Sequence, residues 1–112
     1  MAATFVLDKA SILERLGGDE DIYAMMVDMY LDDVESNCSA LAAAFSGGDV
    51  KALQREAHTI KGLLATFSDD AGAAEALVIE KSAQAGELDS LAAAITELQA
   101  RLREVADVLR GG

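Results

Sequence analysis

Apolar residues recur every three or four positions along most of this chain, and that spacing predicts amphipathic helices. The most regular series comprises Leu88, Leu91, Ile95, Leu98, Leu102, Val105 and Leu109. A second series comprises Leu53, Ala57, Ile60, Leu64 and Phe67. A third, less regular series comprises Tyr23, Met26, Val27, Tyr30, Val34, Leu41 and Phe45. No segment sustains the period-two alternation that is typical of strands, so we expect an all-α protein.

Short stretches of glycine, serine and acid separate these series and predict helix ends: LGGD at 16–19, SGGD at 46–49, SDDAG at 68–72 and AGEL at 85–88. Glycine can end a helix in the left-handed conformation, and a following Asp or Ser can cap the next helix. We therefore expect N-caps at Asp49 and Ser68, with Asp69 and Asp70 in the first turn of the helix that follows Ser68.

These boundaries predict a short helix near 8–16 and four longer helices near 19–46, 49–67, 70–85 and 87–109. Short connections favour antiparallel neighbours, so the predicted fold is an antiparallel up-down four-helix bundle with a short extra N-terminal helix. At 112 residues the chain fits a single domain, covering residues 1–112.

Composition narrows the classes of function. A formal net charge of −11 argues against nucleic acid or an anionic membrane as the main partner, since both require a basic surface. The sequence has neither a signal-peptide pattern nor an apolar run of about 20 residues, so we expect a soluble, cytoplasmic protein or a domain of a larger signalling chain. Cys38 is the only cysteine, which excludes an intrachain disulfide or a cysteine-based metal cluster. Its role, and that of Met25, Met26 and Met29 as core or as the edge of a binding face, stays open.

The only histidine, His58, lies about 160° from Ile60 on the helical wheel and therefore points away from the apolar face. The residues within about 60° of His58 on that wheel are Lys51, Gln54, Arg55, Lys61, Gly62 and Ala65. Because Glu56 lies toward the apolar side, we expect this outward face to carry only positive charge. Gly62 costs about 1 kcal/mol relative to alanine within a helix, but it leaves space beside the imidazole.

This combination favours phosphoryl chemistry. A neutral imidazole is a competent nucleophile at cellular pH. Nearby cations offset the roughly two negative charges of a phosphoryl group. Phosphoryl transfer requires mainly positioning and charge neutralisation, and a rigid helix supplies the positioning. Small residues at Gly62 and Ala65 would let another protein's active site reach the ring.

Four segments together resemble the histidine-containing phosphotransfer (HPt) domains of multistep two-component phosphorelays. AHTIKG resembles the signature of that family around its histidine, and GGDVKALQREAH resembles the approach to it. LERLGGDEDIYAMMVDMYLDD resembles the opening helix, turn and second helix, and IEKSAQAGELDSL resembles a later helix end. One position departs: Ser68 stands where the family often has glycine, ten residues after the histidine.

The resemblance implies that His58 accepts a phosphoryl group from the phosphoaspartate of a receiver domain and passes it to a second receiver. Lys61 would steady the phosphoryl oxygens, and Gln54 and Arg55, with Lys51 nearby, would contact the partner. Gly62 would leave room for the receiver. The partners would be receiver domains of response regulators or of hybrid histidine kinases.

The magnesium would belong to the receiver, so no cofactor or metal is expected in this chain. We also expect a monomer that carries phosphoryl groups without kinase activity of its own, because the sequence has no Gly-rich nucleotide-binding loop. Two alternatives stay open. One is the phosphoacceptor domain of a chemotaxis-type histidine kinase, and the other is a helical interaction module whose histidine is idle.

Overall fold

Five α-helices and no strand make up the part of the chain that the structure, a computed structural model, describes, namely residues 4–111. The helices are α1 (Lys9–Arg15), α2 (Glu20–Ser46), α3 (Val50–Thr66), α4 (Asp70–Gln84) and α5 (Ala92–Gly111). α2 contacts α3, α3 contacts α4, α4 contacts α5, and α5 returns to α2, which closes a four-helix bundle. α1 packs on α2. The all-α, four-helix-bundle prediction is confirmed.

An aspartate caps the N-terminus of each of the first four helices. Asp8, Asp19, Asp49 and Asp69 each accept a hydrogen bond from a backbone N–H in the first turn of α1, α2, α3 and α4, respectively. Such caps satisfy N–H groups that have no partner within the helix. The predicted cap at Asp49 is confirmed, and the first four helices begin and end within one residue of the predicted bounds.

The apolar series form the core of the bundle. Every member of the α3 series is buried, and so is the α5 series from Leu91 to Leu109. The α2 series is buried at Tyr23, Tyr30, Val34 and Leu41, and half-buried elsewhere. Across the core, the Tyr30 hydroxyl donates to the Leu102 carbonyl at 2.9 Å. Cys38, only 1% exposed, lies on the side of α2 that packs against α5.

The last helix begins at Ala92, later than the expected start near residue 87. Gly86 ends α4 with a φ of +73°, and a turn follows in which the Leu91 N–H donates to the Leu88 carbonyl. Helical hydrogen bonding starts only when the Ile95 N–H donates to the Leu91 carbonyl at 2.8 Å. Leu88 therefore lies in the loop and still packs against the core. This explains why it is apolar and has the spacing of the α5 series without belonging to the helix.

Ser68 does not cap α4, contrary to the prediction, because Asp69 takes that position. Ser68 instead occupies the left-handed residue that ends α3, with a φ of +61°. Its N–H donates to the Ala65 carbonyl, and the Asp69 N–H donates to the Leu64 carbonyl, as in a glycine-terminated helix. The Ser68 hydroxyl accepts a hydrogen bond from Arg15 of α1 at 2.8 Å. A serine thus adopts the backbone conformation that usually selects glycine.

No helix within residues 4–111 is both long enough and apolar enough to span a membrane.

Candidate functional site

His58 lies on the outer face of α3, and its side chain is 66% exposed. The helix is held from the other side by Ala57, Ile60 and Leu64, which are fully buried. The ring is therefore attached to a well-anchored helix and open to an approaching molecule. The direction predicted from the helical wheel is confirmed.

Glu80 of α4 joins the two candidate catalytic residues. Its Oε2 lies 3.0 Å from His58 Nδ1, and its Oε1 accepts a hydrogen bond from Lys61 Nζ at 2.8 Å. Glu80 is 9% exposed and the Lys61 side chain is 29% exposed. One carboxylate thus bridges a half-buried ammonium group and an exposed imidazole.

This contact corrects the expectation that the face around His58 carries only positive charge. The wheel of α3 describes one helix, whereas Glu80 comes from the neighbouring helix, 22 positions along the chain. The sequence did hold a signal: Glu80 lies four residues after Ala76 and directly after Ile79, at the edge of the apolar face of α4. An acid at such a position needs a partner once the helix packs.

The contacts of Glu80 also select one tautomer of the neutral imidazole. The hydrogen bond from Lys61, followed by that from His58, lowers the pKa of Glu80 against the opposing effect of burial. Glu80 is therefore an ionised acceptor at neutral pH and has no proton to donate. His58 Nδ1 must then carry the hydrogen, and in the neutral ring the lone pair resides on Nε2. The nitrogen that is not bound to Glu80 is thus the nucleophilic one.

The remaining predicted site residues share the outer side of α3 with His58 but make no hydrogen bond or ion pair to it. Lys51 and Arg55 are exposed before the histidine, and Gln54 is half-buried. Gly62 and Ala65 are exposed after it. The structure therefore links His58 directly to Lys61 through Glu80, and places the other five residues around them.

Gly62 has no packing role within residues 4–111. A Cβ added there would meet no heavy atom within 4 Å, other than its own helix backbone and chain neighbours. Close packing of helices, the simplest reason for a mid-helix glycine, is excluded for this position. The glycine leaves a flat surface one turn beyond the imidazole.

An apolar groove of about 130 Å³ lies between α2 and α3 on the far side of Gly62. Its lining comprises Met26, Met29, Tyr30, Asp33, Leu63, Thr66 and Phe67. We call it the Met groove. Met29 is 60% exposed and Met25, on the same helix, is 59% exposed. The methionines therefore divide between core and surface, with Met26 half-buried between them.

Comparisons with known proteins agree on one family. The sequence model of the family described as Hpt domain matches residues 25–108. The crystal structure of histidine-containing phosphotransfer protein B (HptB) from Pseudomonas aeruginosa PAO1 is 28% identical and superposes with a TM-score of 0.83. The match covers 94% of this chain and 91% of that chain.

The HPT domain from the Hpt sensor hybrid histidine kinase from Shewanella has a TM-score of 0.80, again over 94% of this chain and 91% of that one. At 17% identity, this second likeness concerns the fold alone. Among curated protein sequences, none matches this chain.

Proposed function

This chain belongs to the Hpt domain family, and from that premise we propose that His58 accepts a phosphoryl group from the phosphoaspartate of one receiver domain and passes it to another. Membership of the family makes the chain a phosphotransfer protein of two-component relays. The choice of His58 as the residue that is phosphorylated rests mainly on one observation. That observation is the exposed imidazole held by Glu80 through Nδ1.

In the proposed step, the lone pair of His58 Nε2 attacks the phosphorus of the aspartyl phosphate. The N–P bond forms as the P–O bond to the aspartate breaks, and the aspartate leaves as a carboxylate. The Nδ1 hydrogen stays on the ring, which gains positive charge as the bond forms. Glu80 accepts the hydrogen bond from Nδ1–H and stabilises that charge, as a carboxylate does for the imidazolium of a catalytic triad.

Lys61 supports the same step from the phosphoryl side. Its ammonium group lies 2.8 Å from Glu80 and one helical turn from His58. When a phosphoryl group arrives on the ring, its oxygens compete with Glu80 for the three donors of the ammonium group. Lys61 can therefore neutralise charge in the product while Glu80 keeps the ring oriented.

The return step reverses these bonds and requires only a second receiver whose aspartate is free. Magnesium, which receivers bind, would be supplied by the partner. The proposal thus assigns to this chain a positioned nucleophile and a cation. It assigns the metal to the receiver, and it includes no nucleotide-dependent activity.

A transfer assay with two kinds of donor tests the proposal. Receiver domains of the same genome, phosphorylated with acetyl phosphate, are mixed with the wild-type protein or with His58→Gln, and the acid-labile phosphoryl group is followed over time. We expect transfer to the wild type from at least one receiver and none to His58→Gln. In a parallel arm, histidine kinase catalytic domains and ATP replace the receivers. Phosphorylation by kinases alone would overturn the receiver-to-histidine direction and favour the chemotaxis-type alternative.

A further inference from the structure

The Met groove and the reactive histidine belong to one surface that a single partner can cover. Thr66, at the far end of the groove, lies eight residues after His58, which is about 12 Å along the helix axis. A standard protein interface of about 800 Å² per partner corresponds to a disc of roughly 16 Å radius. Gly62 lies between the two features along α3, and a Cβ added there would meet no heavy atom within 4 Å, so this part of the surface is open to a partner.

Asp33 is the charged residue of this groove. All its other lining residues are apolar or uncharged. Within residues 4–111 no ion pair involves Asp33, whereas the nearby Glu35 on the same helix is paired with Arg103. Because α2 and α3 are antiparallel, Asp33 lies at the end of the groove that is nearer to His58. An apolar side chain that enters the groove therefore brings its neighbours against a carboxylate.

The surface on which a receiver would dock consequently carries two opposite charges. Lys51, Arg55 and Lys61 place cations on the outer side of α3. Asp33, with Asp32 and Asp28 further around the helix, makes α2 acidic. A receiver presents an anionic phosphoryl group to α3, so the part of its surface that faces α2 meets the opposite sign.

We propose that Asp33 determines receiver specificity, by selecting receiver domains that place a lysine or arginine beside the apolar side chain that enters the Met groove. A receiver with a cation there gains a charge pair at the edge of an apolar contact. A receiver with an acidic residue at that position is repelled by the Asp33 carboxylate whenever its apolar side chain enters the Met groove. Such repulsion excludes wrong partners as effectively as attraction selects the right one. The inference rests on the proposed function, since it concerns the same docking surface.

Charge reversal at two neighbouring positions tests the role of Asp33 in receiver specificity. Asp33→Lys changes the groove, and Asp32→Lys makes the same change of net charge at an exposed position outside the groove lining. For the receiver that transfers fastest to the wild type, we expect Asp33→Lys to lower the second-order rate constant of transfer at least 10-fold, mainly by weakening receiver binding. We expect Asp32→Lys to change it less than about 3-fold. The wild-type rate should fall with added salt more steeply than the Asp33→Asn rate.

Phosphorylation by phosphoramidate, a small donor that does not need docking, should proceed at the same rate in all variants and controls for folding and ring reactivity. Equal effects of Asp33→Lys and Asp32→Lys, or no effect of either, would overturn the role of Asp33 while the proposed function stands. If the wild type reacts with phosphoramidate but with no receiver, the proposed function fails, and the specificity role fails with it.

Discussion

Among the cation–carboxylate contacts that join helices within residues 4–111, two clusters of three residues each differ mainly in exposure. In the first, Arg101 of α5 donates to both oxygens of Asp69, with Nη2 at 2.6 Å and Nε at 2.8 Å. Asp69 is 3% exposed and Arg101 is 5% exposed. Asp69 also accepts from the Gly72 N–H, and Arg101 donates to Glu104. This first cluster is buried and well supplied with hydrogen bonds.

In the second cluster, Glu80 bridges Lys61 and His58, whose imidazole is mostly in solvent. Removing one partner of a buried pair leaves an uncompensated buried charge, which is strongly destabilising. In the second cluster the carboxylate is buried but the His58 and Lys61 side chains are 66% and 29% exposed, so these two groups can exchange Glu80 for water or for a phosphoryl oxygen at a lower cost. We therefore expect substitutions in the Asp69–Arg101 cluster to affect mainly stability, and those in the Glu80 cluster to affect mainly the proposed phosphoryl transfer.

Removing the buried cation should have the largest effect on stability. Arg101→Met leaves the Asp69 carboxylate buried without its guanidinium partner, and we expect the free energy of unfolding to fall by about 3–5 kcal/mol. Chemical denaturation followed by circular dichroism measures this. The matched control is Arg103→Met on the same helix, which removes an exposed pair with Glu35 and should leave stability nearly unchanged. Similar losses in the two variants would contradict the distinction by burial.

The glycines of the two regions should respond to alanine in opposite directions. A Cβ at Gly72 would collide with the Asp69 carboxylate and press on Leu64, so Gly72→Ala should cost about 1–3 kcal/mol. Gly62→Ala meets open space and should stabilise the isolated protein by up to about 1 kcal/mol.

The same Gly62→Ala variant should accept phosphate from receivers more slowly, because the added methyl group occupies part of the open surface, one turn beyond the imidazole, on which the receiver would dock. Thermal unfolding and the transfer assay together check both glycines. Destabilisation by Gly62→Ala, or unchanged stability of Gly72→Ala, would contradict the expected difference between the two glycines.

Lowering the pH should reveal the contribution of Glu80 to the stability of the fold. Since its pKa is lowered in the folded protein, its stabilisation is complete above the ordinary glutamate value of about 4.3 and is lost as the pH falls through the lowered value. Glu80→Gln should therefore be less stable than the wild type by roughly 1 kcal/mol above pH 5. The difference should shrink below about pH 4. Urea unfolding at several pH values measures it, and a difference that grew in acid would refute the assignment.

The smallest effect is expected at Ser68. Ser68→Gly relieves the cost of a left-handed φ but loses the hydroxyl that accepts from Arg15, so the net change should stay below about 1 kcal/mol. Ser68→Ala loses the hydroxyl and keeps the strained backbone. Ser68→Gly should consequently be more stable than Ser68→Ala by about 1 kcal/mol, and equal stabilities would show that the turn is not strained.

Local patterns explain what the sequence could predict. The direction of His58 and the buried face of α3 follow from the helical period alone, and the cap at Asp49 follows from residue type. The charge clusters do not follow from such local patterns, because their contacts between helices join residues 19 to 32 positions apart and form only after the helices pack. The cap of α4 lies at Asp69 and not at Ser68 because Ser68 takes the left-handed residue that ends α3, a conformation that residue type alone does not indicate for serine.

The most direct test of phosphorylation at His58 Nε2 relies on the single histidine of the chain. Protein labelled with ¹⁵N in its imidazole is phosphorylated by a receiver, and the two ring nitrogens are distinguished by NMR. We expect the phosphoryl group to appear on Nε2 and Nδ1 to retain its hydrogen, directed at Glu80. A phosphoryl group on Nδ1, or a ring unchanged while phosphate is taken up elsewhere, would contradict it.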